Sequence, residues 1–152
     1  MYSSSVNEKC RFIESDSPSL LFALLRAAQH VENNVEGALG AAGLSLAKLG
    51  VLNHLVQSGE PLPLGQIAGR ISCVKSNVTQ LVDRLESDGL VARISDPSDR
   101  RCVRAAITDQ GRERYKTGAE ILKSQEQALL QELGTGKNEE VFACLQQLGA
   151  SV

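Results

Sequence analysis

The chain has 152 residues, 42% of them hydrophobic but only 3% aromatic and none Trp, and a formal charge of −2. That length makes one domain with its own core, and an aliphatic, alanine-rich core suits helix packing. Several classes are excluded: no apolar run approaches the ~20 residues of a membrane span, no CxxC pair or nearby histidine supports a zinc site, and no phosphate loop, nucleophile triad or paired catalytic carboxylates mark an enzyme or call for a cofactor.

Residues 1–16 are polar and aperiodic and read as a flexible N-terminal arm. The arm lacks the basic-then-apolar order of a signal peptide, so a cytoplasmic protein is expected. Residues 17–152 read as the domain. Ser17-Pro18 opens a first helix, with proline at an early position. Leu21, Leu24, Leu25, Ala28, Val31, Val35 and Leu39 repeat at three and four, predicting one continuously buried face, and Gly40 and Gly43 end the helix. Its length of roughly 22 residues, ~33 Å, exceeds what a small domain needs to cover itself. Ser45 caps a second helix striped by Leu46, Leu49, Leu52, Leu55 and Val56 and broken at Gly59-Glu60-Pro61. Pro63-Leu64 opens a short third helix ending near Arg70, with Ile67 and Ile71 inward.

The organising stretch is Cys73 to Arg104. From Val74, apolar residues at Val78, Leu81, Val82 and Leu85 form one helical face. The other face carries Lys75, Ser76, Thr79, Gln80 and Asp83. Gly89 stops this helix, Leu90 to Ile94 is a short β-prone run, Ser95 to Asp99 is turn chemistry, and Cys102 to Ile107 is a returning strand. A tight connection between two helices, followed by a hairpin with Arg100-Arg101 at its tip, reads as a winged helix-turn-helix over residues 45–108. Such a unit either binds DNA or docks a protein. The exposed residue types favour DNA, because they hydrogen-bond phosphates and base edges. Charge distribution points the same way. Residues 1–69 hold 4 Lys/Arg against 6 Asp/Glu, residues 70–104 hold 7 against 5, and residues 105–152 hold 5 against 7, so only the predicted head is net positive.

After the wing, Thr108 caps a helix with apolar positions Tyr115, Ala119, Leu122, Leu129 and Leu133. Gly134-Thr135-Gly136 reverses the chain into a last helix from about Asn138 to Leu148, burying Val141, Phe142, Leu145 and Leu148. Residues 17–43 and 109–152 thus form the long, one-sided helices of an all-helical dimerisation region. The predicted fold class is mainly α with a small β-hairpin wing.

The run Val78-Thr79-Gln80-Leu81-Val82-Asp83-Arg84-Leu85-Glu86, then Gly89-Leu90-Val91, Arg93, Asp99-Arg100-Arg101 and Ile107-Thr108-Asp109-Gln110-Gly111, resembles the MarR family of bacterial transcriptional regulators. The overall plan matches from about residue 18 to 149 and is most specific over Val78 to Arg101. Val74 stands where many relatives carry serine or threonine, which passes the capping role to Ser72. The resemblance implies a homodimeric repressor, built on helices from both ends of the chain, that binds a pseudo-palindromic double-stranded operator.

On the head, Lys75, Ser76, Asn77, Thr79 and Gln80 are the candidates for major-groove and phosphate contacts. Gln80 can pair with adenine through both ends of its amide. Arg84 either reaches the DNA backbone or pairs with Asp88 four residues on. Arg101 matches the family's minor-groove arginine, with Arg100 as a phosphate contact. Asp99 orients Arg101, makes the turn, or does both. His30 and His54 are candidates for lining a pocket between the dimer platform and the head, where the family binds phenolic or other small anionic effectors; core or surface positions are the alternative. One branch of the family senses oxidants through an N-terminal cysteine. Cys10, flanked by Lys9 and Arg11, lies in that neighbourhood, with an inert surface thiol as the alternative. Cys73 and Cys102 read as buried small apolar residues, and Cys144 as interface packing.

Overall fold

A computed structural model describes residues 19–70, 78–96, 102–134 and 136–149. The N-terminal arm, Ser17-Pro18, the turn residues Ile71 to Val74 and Thr135 lie outside them. Near the middle sits α2 (Leu46–Ser58), apolar over most of its circumference. The Ser45 hydroxyl accepts from the Lys48 amide (3.2 Å) at its start, and Gly59 ends it at φ 69° with its N–H donating to the Leu55 carbonyl. Leu49, Val51, Leu52 and Leu55 are buried. Around this helix pack α1 (Leu20–Ala41), α3 (Leu64–Arg70), α4 (Val78–Ser87), strand β3 (Val103–Ile107) and α5 (Asp109–Leu133). Leu39, Ile67, Val82, Leu85 and Val91 complete an aliphatic core.

Strand β2 (Val91–Ser95) pairs antiparallel with β3, Val91 opposite Ile107 and Ser95 opposite Val103. A third strand was not expected. Leu62–Pro63 forms β1 on the other side of β3, with Leu62 opposite Ala105 and Pro63 opposite Arg104. Pro63 therefore belongs to a strand, and α3 starts at Leu64. Proline has no N–H to give a ladder and is tolerated because β1 is an edge.

The long helices differ from expectation in what covers them. Of α1 only Leu39 is buried; Leu20 is 74% exposed, and Leu21, Leu24 and Leu25 are exposed as well. The reason is reach. Only the C-terminal part of α1, at Val35 and Leu39, arrives at the core under α2. Helix α6 (Asn138–Gly149) buries none of its residues: Phe142 is 63% exposed, and Leu145 and Leu148 are exposed. On α5 the inward side runs through Gly111, Tyr115, Gly118, Ile121 and Leu122, while Ala119 is exposed. The helix is capped as expected, the Thr108 hydroxyl accepting from the Gly111 amide (2.9 Å). The same hydroxyl donates to the Gly89 carbonyl (2.8 Å), and the Leu90 carbonyl accepts from the Thr108 amide (3.1 Å). The first turn of α5 is thereby joined to the end of the head.

Candidate nucleic-acid interface

Helix α4 is held by one face and open on the other. Leu81, Val82 and Leu85 are buried and Val78 is half-buried, whereas Thr79, Gln80, Asp83 and Arg84 are exposed. The three buried side chains hold the helix on the core, since packing of an apolar face and not propensity supplies most helical stability. Its end is closed by Gly89 at φ 73°, with Gly89 N–H on the Glu86 carbonyl and Leu90 N–H on the Leu85 carbonyl (both 2.9 Å). Of the predicted DNA-contacting residues, Thr79, Gln80 and Arg84 therefore share one exposed surface. Lys75, Ser76, Asn77, Asp99, Arg100 and Arg101 all lie outside the described residues.

The alternative partner for Arg84 is not realised. Asp88 pairs instead with Lys48 of α2 (2.7 Å), whose ammonium also donates to the Gly43 carbonyl (3.4 Å). Among the described residues Arg84 makes no ion pair. Spacing of four residues allowed the local pair, but a cation 40 residues away in sequence is aimed at the same carboxylate.

Two arginines that sequence reasoning did not single out as site residues organise the head. Arg93 on β2 reaches back to α4. Its guanidinium lies 2.5 Å from an Asp83 oxygen and 3.7 Å from Glu86, and donates to the Thr79 carbonyl (3.4 Å). Its backbone N–H donates to Glu86 Oε1 (3.1 Å), and its Nε is buried without a hydrogen-bond partner. Arg104 on β3 anchors the wing base. Both its Nε and one terminal nitrogen donate to Asp96 Oδ2 at 2.6 Å, and the other terminal nitrogen lies 3.5 Å from the Pro61 carbonyl. Asp96 is only 7% exposed, and its N–H closes the hairpin on the Cys102 carbonyl (3.0 Å). The usable signal was parity. Asp96 stands opposite Cys102, two places from Arg104 on the same face of the ladder, so opposite charges meet diagonally. Asp96→Ala, which leaves a half-buried guanidinium without its carboxylate, is expected to lower stability by about 1–3 kcal/mol in urea denaturation. The mean of that range would appear as a shifted midpoint with an unchanged slope.

His30 and His54 are not brought together. His30 lines a cavity of about 80 Å³ between α1 and α5, with Val31, Asn34, Val35, Gln125, Ala128, Leu129 and Glu132. Its ring nitrogen is 3.1 Å from the Asn34 amide. His54 is on α2 and is not part of that lining. Cys102 is exposed at the start of β3 rather than buried, because its place in the hairpin points it away from the core, and Cys144 is an exposed thiol on α6. Cys10 and Cys73 lie outside the described residues. Among the described residues, no group of three His, Cys, Asp or Glu could hold a metal ion, and no single helix is long and apolar enough to cross a membrane.

A family model described as the MarR family matches residues 44–103, the stretch from just before α2 to the first residue of β3. The uncharacterised HTH-type transcriptional regulator YkoM of Bacillus subtilis is 41% identical over 71 residues, 47% of this chain; the match spans 46% of that regulator, about half its length. Solved structures extend the likeness along the chain. Sco5413, a MarR family transcriptional regulator from Streptomyces coelicolor, is 30% identical with a TM-score of 0.72, covering 86% of this chain and 91% of that one. The transcriptional repressor CouR, bound to a 23-mer DNA duplex, is 26% identical with a TM-score of 0.72, covering 86% of this chain and 92% of that one. Sharing 30% of its residues with Sco5413 over 91% of that regulator, the chain belongs to the MarR family.

Proposed function

We propose that the chain is a sequence-specific DNA-binding transcriptional regulator, a homodimeric repressor that leaves its operator when a small ligand changes the geometry of the dimer. The observation that carries this reading is α4. It is fixed by three buried side chains and presents Thr79, Gln80 and Arg84 to solvent beside the wing. Those are the groups that hydrogen-bond base edges and phosphates in a major groove. CouR, which shares the fold, is a repressor bound to a 23-mer duplex. A duplex of that length offers two major-groove segments on one face, as a two-fold dimer requires. The exposed apolar residues of α1 and α6 supply a surface for such a dimer. For the ligand, the α1–α5 cavity beside His30 is the supporting feature. At about 80 Å³ it is smaller than the engineered cavity of about 150 Å³ that admits benzene, so an aromatic effector would have to part the two helices.

Footprinting on the intergenic DNA beside the protein's own coding sequence tests the reading, with and without candidate phenolic or anionic ligands. Protection of a pseudo-palindrome with half-sites about 10 bp apart is the expected result. Gln80→Ala should cost about 1–3 kcal/mol on the best operator and flatten discrimination among operator variants. Arg101→Ala should weaken binding to most sequences and make the dependence of log affinity on log salt shallower by about one unit per subunit, because a lost cation releases fewer counterions. If neither substitution matters, the helix is not in the groove, and a protein-docking module replaces the present reading.

A further inference from the structure

We infer that Arg93 is the positioning residue of the reading helix, a clip thrown from the first wing strand that fixes the rotation of α4 about its own axis. The inference rests on the DNA-binding reading only for its consequence. The clip itself stands on geometry. Thr79, Asp83 and Glu86 are related by steps of four and three along α4, one stripe about 10 Å long, and Arg93 contacts all three. Glu86 answers by accepting the Arg93 backbone N–H, so the clip closes through both side chain and main chain.

Apolar anchoring holds such a helix on the core but resists a small roll less than directional bonds do. Leu81, Val82 and Leu85 bury well, but dispersion contacts are not directional. A roll of about 20° moves a side-chain end on the ~5–6 Å outer radius by about 2 Å. Gln80 sits next to the clipped stripe, and a displacement of that size takes a paired amide beyond hydrogen-bond distance. The planar fork of an arginine, with two carboxylates and a carbonyl to bind, resists that roll in a way a single ammonium does not. The buried Nε without a partner marks the cost of holding the fork in this place.

Two measurements on Arg93→Met decide the matter, with Arg93→Lys as the second variant should the first fail to fold. In the free protein, amide hydrogen exchange in α4 is expected to quicken about fivefold while α2 and α5 are unchanged. On DNA, preference for the best operator over one altered at a base pair read by α4 is expected to fall about tenfold, with the salt dependence unchanged. Arg93→Lys should show part of each effect. A salt dependence shallower by about one unit would make Arg93 a phosphate contact and overturn the inference. So would recovery of specificity when Asp83→Asn and Glu86→Gln are added to Arg93→Met, since Arg93 would then only be masking two carboxylates. If the wild type binds no duplex, the DNA-binding reading fails and exchange alone decides: quickening confined to α4 keeps the clip, and equal rates remove it.

Discussion

Gly111→Ala is expected to lower the melting temperature by about 6–12 °C, the counterpart of about 3 kcal/mol in a chain of this size. Ordinarily the change would help, because alanine is favoured over glycine inside a helix by about 1 kcal/mol. Here a Cβ would run into the Leu90 carbonyl oxygen and stand 2.9 Å from Ile107 Cγ1. The obstacle is backbone already engaged by the Thr108 amide, so the first turn of α5 must lift away from the head. Two controls frame the result. Gly118→Ala meets only methyl groups, Leu49 Cδ1 at 2.6 Å and Leu44 Cδ1 at 2.9 Å, which can rotate, and should cost about 1 kcal/mol. Gly50→Ala in α2 meets nothing within 4 Å and should be stabilising by about 0.5–1 kcal/mol. Thermal unfolding of the three variants is the measurement, and an unperturbed Gly111→Ala protein would mean that head and long helix are not in this close contact.

The second large effect concerns assembly. Leu145→Arg should raise the dimer dissociation constant more than a hundredfold, and operator affinity should fall with it. In a two-fold dimer each substitution occurs twice in one interface, and a buried arginine without a partner is costly. Circular dichroism should be unchanged, because Leu145 is exposed within its own chain and supports none of its core. Sedimentation at micromolar concentration reads the outcome. A wild type that sediments as a folded monomer would remove the dimer proposal.

What was legible in the sequence follows from the range of the forces involved. Helix α4 could be read because its apolar spacing and its glycine stop are local, and the same holds for the caps at Ser45 and Thr108, where a hydroxyl meets an amide three residues on. The family match confirms the winged fold that these local signals implied. Strand β1 was hidden: two residues carry no periodicity, and only the pairing of Leu62 with Ala105 makes them a strand. The stripes of α1 and α6 were visible as stripes, but the pattern marks a face and not its cover, and in one chain they remain exposed. The Arg93 ion pairs were beyond reach for a related reason. Arg93 lies ten residues from Asp83, and the turn at Gly89 decides whether they meet.

In the proposed ligand response helix α5 would act as a lever. It has 25 residues, about 37 Å, and its first turn is locked to the head through Gly111 and Thr108. The cavity beside His30 touches it at Gln125 to Glu132, some 20–30 Å farther along. A stiff rod turned by about 5° displaces its far end by about 3 Å, close to the rise per base pair along DNA. Under the proposed ligand response, a wedge too small to disturb any packing near α4 would shift the head by roughly one base step, out of register with an operator of fixed spacing.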